Sequence, residues 1–382
     1  MSLPTRRSSL ATSLFSVVFA LTLLTAIPAA KAGKNVPAAS CSALLAQFEN
    51  VQKGAKEYQE LRFLKPLNGL SEMVKNSKSL DETIQILSDK DGRKFTFYLE
   101  GLFKVFGDVY GKKFKDWRYR VKAFEDHLGA YGDATTFHEY AIKKGGSPQY
   151  ALKAMAEKEE TSHEEFRKFL VKDGWFTADG KIGSSFLELA TFVMEADWYK
   201  FSKERTKILE TIAGELKDDV EDLDYDMDVL EDGIHKLRRK LRWFLIYLQA
   251  FDGLFELTDN TLVLREYSYL VDHPIASSPF SKMDPNPLVE DPATLPRHVF
   301  LAMSKLVEDL GKIKSVGERI NAIAEAFLES GRVTSRREAQ ARAEEIVGET
   351  FDSVHQKAHA VKDELERTQL VHKLRKMVEK QE

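Results

Sequence analysis

The sequence predicts an all-α fold, and three observations carry that reading. Apolar residues recur at spacings of three and four almost everywhere beyond residue 41. No Val/Ile/Thr-rich alternating segment bounded by turn residues occurs. Glycine- and proline-rich breaks cut the chain into helix-sized pieces.

In chain order, Leu44, Leu45, Phe48 and Val51 open the first amphipathic stripe. Phe95, Tyr98, Leu99, Leu102, Phe106 and Val109 form the second; the run from Phe95 to Leu99 would suit a strand, but the longer spacing outvotes it. Phe114, Trp117, Val121, Phe124 and Leu128 give a third with regular 3-4 steps. Phe186, Leu189, Phe192, Val193 and Ala196 make a fourth, and Ile234, Leu237, Leu241, Phe244, Leu245 and Leu248 a fifth. Leu301, Leu306, Leu310, Ile313 and Ile320 carry the pattern onward. Breaks fall at Lys144-Gly145-Gly146-Ser147-Pro148, around Asp173-Gly174 and Asp179-Gly180, and from His273 to Pro296. The last holds six of the 11 prolines, so no helix is expected across it. After Gly331 a charged tail with a thin apolar stripe predicts one helix, laid on the body or projecting from it.

Composition bounds the function. A chain of 382 residues, 43% hydrophobic and 30% charged, is long enough to bury a large core. A single cysteine, Cys41, rules out an intramolecular disulfide framework and any paired-cysteine redox motif. The net charge of −4 argues against coating nucleic acid through overall charge, so anion binding would need a local basic patch. Residues 1–32 read as an export signal: Arg6 and Arg7, an apolar stretch from Leu10 to Ile27, Pro28, and a small-x-small site at Ala30-Lys31-Ala32. Its removal takes away three positive charges and no negative ones, lowering the net charge from −4 to −7. The expected location is the periplasm or the exterior of a bacterium.

The charge pattern is the most informative feature. Ten acidic residues and one lysine run from Glu215 to Asp232, followed at once by His235, Lys236, Arg238, Arg239, Lys240 and Arg242. At about 100° per residue, the apolar positions of this helix share one arc, and His235, Arg238, Arg239 and Arg242 share the neighbouring arc. Such a cationic row repels itself unless anions or acidic side chains answer it. Guanidinium forks suit phosphate oxygens. A second basic segment, with Lys115, Arg118 and Lys122 on one stripe, adds to the expected polyanion-binding set; Lys312 and Lys314 are weaker members. The competing reading is that the acidic run quenches the row within the fold.

Ile234-His235-Lys236-Leu237-Arg238, running on to Arg242, resembles the signature helix of the CHAD family, named for a histidine in an α-helical domain. The segment Phe124 to Asp133, with Leu128-Gly129, resembles that family's Leu-Gly element, and Leu310-Gly311 resembles its second copy. The resemblance spans residues 79–331. It implies two tandem four-helix-bundle-like repeats related by an internal pseudo-twofold, with a basic surface that binds inorganic polyphosphate. His235, Arg238 and Arg242 fall on its basic positions. The first repeat departs from the pattern: Lys94 stands where a histidine is expected, Phe97 where an arginine is expected, Gly132 replaces an arginine, and Ser315 replaces an acid in the second. The expected organisation is a signal peptide (1–32), an N-terminal helical segment (33–78), a first repeat with connecting helices (79–230), a second repeat (231–331) with the Pro-rich loop 273–296, and a charged C-terminal helix (332–382).

Other chemistries fit less well. Glu160-Thr161-Ser162-His163 has the spacing of a di-iron ligand pair, but the near-copy Asp232 to His235 opens a helix and two further glutamates are wanting. His355 and His359 stand four apart, with Gln356 where a zinc protease carries its glutamate. Asp222, Asp224, Asp226 and Asp228 alternate without the glycine of a calcium loop. No phosphate-binding loop, nucleophile elbow or dinucleotide fingerprint occurs. The expectation is therefore a binding protein with no cofactor and no metal. The alternative is a structural adapter of the cell envelope whose basic helix is internally neutralised.

Overall fold

The computed structural model describes residues 41–382 apart from 56, 219–222, 261, 263, 279–280, 284 and 382. The expected export signal lies outside the described residues. Most of the described chain is helical, as the apolar spacing predicts: α1 (Cys41–Gly54), α2 (Tyr58–Val74), α3 (Leu80–Asp89), α4 (Gly92–Tyr110), α5 (Lys112–Lys144), α6 (Gln149–Lys172), α7 (Ser184–Met194), α8 (Phe201–Leu216), α9 (Lys236–Ala250), α10 (Arg297–Glu329), α11 (Arg336–Val347), α12 (Phe351–Thr368) and α13 (Leu370–Glu379). Among the described residues, no helix is long and apolar enough to cross a membrane.

The breaks act through ordinary turn chemistry. Gly145, at φ +74°, ends α5 in the left-handed region that glycine tolerates. Ser79, Ser335 and Thr350 cap α3, α11 and α12 through their hydroxyls. Before α9 the chain makes a π-helical turn over Leu230–His235. Any side chain at Gly233 would collide with the Asp226 carbonyl there, because the preceding loop crosses directly over it.

The predicted stripes form the core. Phe114, Trp117, Val121, Phe124 and Leu128 are all buried, as are Ile234, Leu237, Leu241, Phe244, Leu245 and Leu248. Helix α4 is central, packing against α2, α5, α8 and α9, while α10 packs against α6, α9, α11 and α12. At the heart of the core an ion pair, Arg62–Glu204 at 2.6 Å, is fully buried, with the guanidinium 4.2 Å from the Phe106 ring centre.

Two features depart from the sequence reading. The charged tail is three helices, not one: Gly348 ends α11 at φ +79°, and Gln369, at φ +52°, turns the chain between α12 and α13. Each buries an apolar face, such as Leu370, Val371, Leu374 and Val378 in α13. The Pro-rich excursion is also anchored by two short parallel strands, β1 (Phe255–Thr258) and β2 (Ala293–Pro296), paired from Phe255↔Ala293 to Thr258↔Pro296. Within it, Pro274–Ser277 forms a 3-10 turn, the tight short helix that N-terminal proline permits.

Candidate functional site

The amphipathic faces of α4, α9 and α10 do not close completely over one another. They leave a cleft of about 1060 Å³, lined on one side by His273, Pro274, Ile275, Ser278 and Ser281. On α9, Arg238 and Arg242 line it; on α4, Arg93 and Lys94; on α10, Lys312 and Arg319. Asp91 and Glu308 are the acidic residues of the lining, and Lys312 is answered by Glu308 at 2.5 Å.

The arginines differ sharply in how their charge is met. Arg93 donates to Glu125 at 2.6 Å and lies 3.7 Å from Asp133. Burial alone would lower its pKa, but Glu125 and Asp133 outweigh that and raise it. Among the described residues no carboxylate pairs with Arg238, Arg242 or Arg319. Arg238 donates from Nε to the Val307 carbonyl at 3.2 Å. Burial lowers its pKa; Glu318 offsets this in part, Arg93 adds to the lowering, and Asp133 opposes it weakly. Burial, then the neighbouring Arg238 and Arg93, push Arg242 down to about 10. It stays protonated at neutral pH, holding a charge that the fold does not answer. Its guanidinium lies 4.2 Å from the Phe97 ring centre, and its Nε has no hydrogen-bond partner. Arg319 stacks on Tyr140 at 4.4 Å, and its Nε is likewise unpartnered. Two buried hydroxyls of the lining, Ser281 and Ser304, also lack partners. Buried polar groups are normally satisfied, and four residues of this lining each carry a buried polar atom that is not.

The expected polyanion-binding residues are not brought together as one row. Arg238 and Arg242 face the cleft, whereas Arg239, 100° round the helix from Arg238, is exposed. His235 is bonded through Nδ1 to Glu231 at 2.9 Å. Lys115 pairs with Asp108 at 3.0 Å and Lys122 with Asp126 at 2.5 Å; Arg118 lies 3.9 Å from the buried Glu100. None of these five lines the cleft. Lys314 is paired with Glu318. The acidic run supplies Glu231 to His235 and Asp228 to His359, and Glu215 pairs with Lys104 at 2.5 Å. None of the described residues of the run pairs with Arg238 or Arg242.

Sequence reasoning missed Arg93 and Arg319. Arg93 rests on Gly129 of α5 so closely that a Cβ there would lie 2.5 Å from its guanidinium; Arg238 rests on Gly311 of α10 in the same way, at 2.9 Å. Helices α5 and α10 are each 33 residues long. Arg93 and Arg238 thus make the same kind of contact with a glycine of a long helix, and four residues further along stand Phe97 and Arg242.

Glu231, His235 and Glu318 could each offer one atom to a metal, all within 4.8 Å of one another. Lys314 already holds Glu318, which makes this a salt-bridge network closing the π-helical turn onto α10. His163 faces Asp81 at 3.6 Å and His359 faces Asp228 at 3.0 Å. No family model, curated protein or solved structure matches the chain.

Proposed function

We propose that this chain is a divergent, exported CHAD-like protein that binds a phosphate-rich polyanion, polyphosphate-like in chemistry, in the cleft between α4, α9 and α10. The observation that carries the reading is that Arg238 and Arg242 line that cleft and form no ion pair with a carboxylate among the described residues. Multivalent, charge-assisted hydrogen bonds from Arg238, Arg242 and Arg319 would hold phosphate oxygens, with Ser281 and Ser304 as neutral donors. The paired Arg-on-Gly contacts and the matched lengths of α5 and α10 support two tandem repeats related by a pseudo-twofold. Binding rather than catalysis is the role we assign. His235, Arg239, Lys115, Arg118 and Lys122 form an outer set on this reading and contribute by long-range attraction.

The structural-adapter reading accounts for Lys115, Lys122 and His235, which are internally paired, but leaves Arg238 and Arg242 without a carboxylate to neutralise them. Titration with long-chain polyphosphate at two salt concentrations separates the two. Three phosphate contacts predict roughly 20-fold weaker binding between about 50 and 200 mM salt. Arg238→Ala/Arg242→Ala is expected to weaken binding by about 100-fold, two charged hydrogen-bonding groups being removed, with the melting temperature nearly unchanged. Equal binding by both proteins, or a variant that melts much lower and binds as before, contradicts the proposal.

A further inference from the structure

Along α9 the cleft changes character. Arg238 and Arg242 line its charged end, and Leu245 and Ile246 continue the same lining one to two turns later. The rise from Arg238 to Ile246 is about 12 Å, eight residues at about 1.5 Å each. Helix α4 repeats the order, with Arg93 and Lys94 followed by Phe97 and Tyr98. Ile275, buried in the 3-10 turn of the Pro-rich segment, covers the apolar end.

A bare inorganic polyanion would satisfy the guanidinium groups, but any phosphate reaching Leu245, Ile246 and Ile275 would lose water and gain no donor. Resting on the anion-binding reading above, we infer that the occupant is an amphiphilic organic phosphate. Its mono- or diphosphate head sits against Arg238 and Arg242, and a hydrocarbon group of roughly ten carbons lies along Leu245, Ile246 and Ile275. Binding sites for small molecules commonly combine a largely apolar lining with a few convergent polar groups, and the volume of this cleft suits such a guest.

Calorimetric titration of the whole protein with inorganic pyrophosphate, geranyl diphosphate and geraniol tests this, the first two sharing one headgroup. Burying about 60 Å² of apolar surface is worth a factor of ten, so geranyl diphosphate should bind at least tenfold tighter than pyrophosphate. Ile275→Ser, at the apolar end and away from the arginines, should shrink that preference about threefold or more with pyrophosphate affinity as the internal reference; Arg238→Ala/Arg242→Ala should weaken both ligands alike. Equal affinity for the two diphosphates overturns the inference while the anion-binding reading stands. Binding of neither diphosphate, nor of polyphosphate, overturns both. Geraniol binding as tightly as its diphosphate overturns the role given to the head.

Discussion

Arg93 and Arg238 occupy the same kind of place, each laid on a glycine of a 33-residue helix, yet their electrostatic fates are opposite. Four residues either side of Gly129 stand Glu125 and Asp133, which pair with Arg93. Four residues either side of Gly311 stand Val307 and Ser315, neither of which can carry a countercharge. The first arginine is paired within the fold; the second has no carboxylate partner among the described residues, which on the proposed reading leaves it to a guest. On that reading two side-chain positions on the facing helix separate a structural arginine from a ligand-facing one.

If that contrast is the right one, it can be erased. Ser315→Asp, which copies Asp133 into the second half, should place a carboxylate near Arg238. Polyphosphate affinity is expected to drop about tenfold, the worth of one charge-assisted contact, with the melting temperature unchanged or slightly raised. Affinity equal to wild type would mean that Arg238 does not hold the anion.

The glycines sharpen the comparison next. Arg93 is tethered by two acids, so the methyl group of Gly129→Ala cannot be accommodated cheaply, and a loss of about 1–3 kcal/mol is expected by thermal or denaturant unfolding. Arg238 can swing into the cleft, so Gly311→Ala should be neutral, or stabilising by up to about 1 kcal/mol through helix propensity. Equal losses at the two sites would show that both arginines are equally fixed.

The smallest effect concerns pH. Glu100 is buried on α4; burial first, and then Glu125, raise its carboxyl to about 7 from an ordinary 4.5. The nearby Arg118 Nε, at 3.9 Å, makes no hydrogen bond to it. The folded chain therefore holds this proton more tightly than the unfolded chain does. Its contribution to stability is full below about pH 4.5 and is lost as pH rises through 7. Glu100→Gln should melt with wild type near pH 4.5 and a few degrees above it at pH 8. A variant that tracks wild type across the whole range would remove Glu100 from the account.

The helices were legible because buried faces impose a 3.6-residue period, and every apolar position named on α9 is buried. Arg238 and Arg242 were legible as well, since helical geometry places them on the arc beside that face. Arg93 was not, because it precedes the apolar stripe of α4 and carries no signal beyond an arginine four residues before an aromatic. Lys122 lies outside the cleft, and its i,i+4 partner Asp126, which holds it locally, already stood in the sequence. The Lys115–Asp108 pair crosses the break at Gly111, where helical periodicity gives no guidance. Gly348 marked one end within the tail, but the left-handed Gln369 is not a residue that announces a turn.

The most direct measurement is a ¹⁵N correlation spectrum of the arginine Nε–H groups during titration with pyrophosphate. The account predicts that the resonances of Arg238, Arg242 and Arg319 shift with a common saturation curve while that of Arg93, already bonded to Glu125, stays in place. Movement of Arg93 to the same extent, or no movement of Arg242, would contradict it.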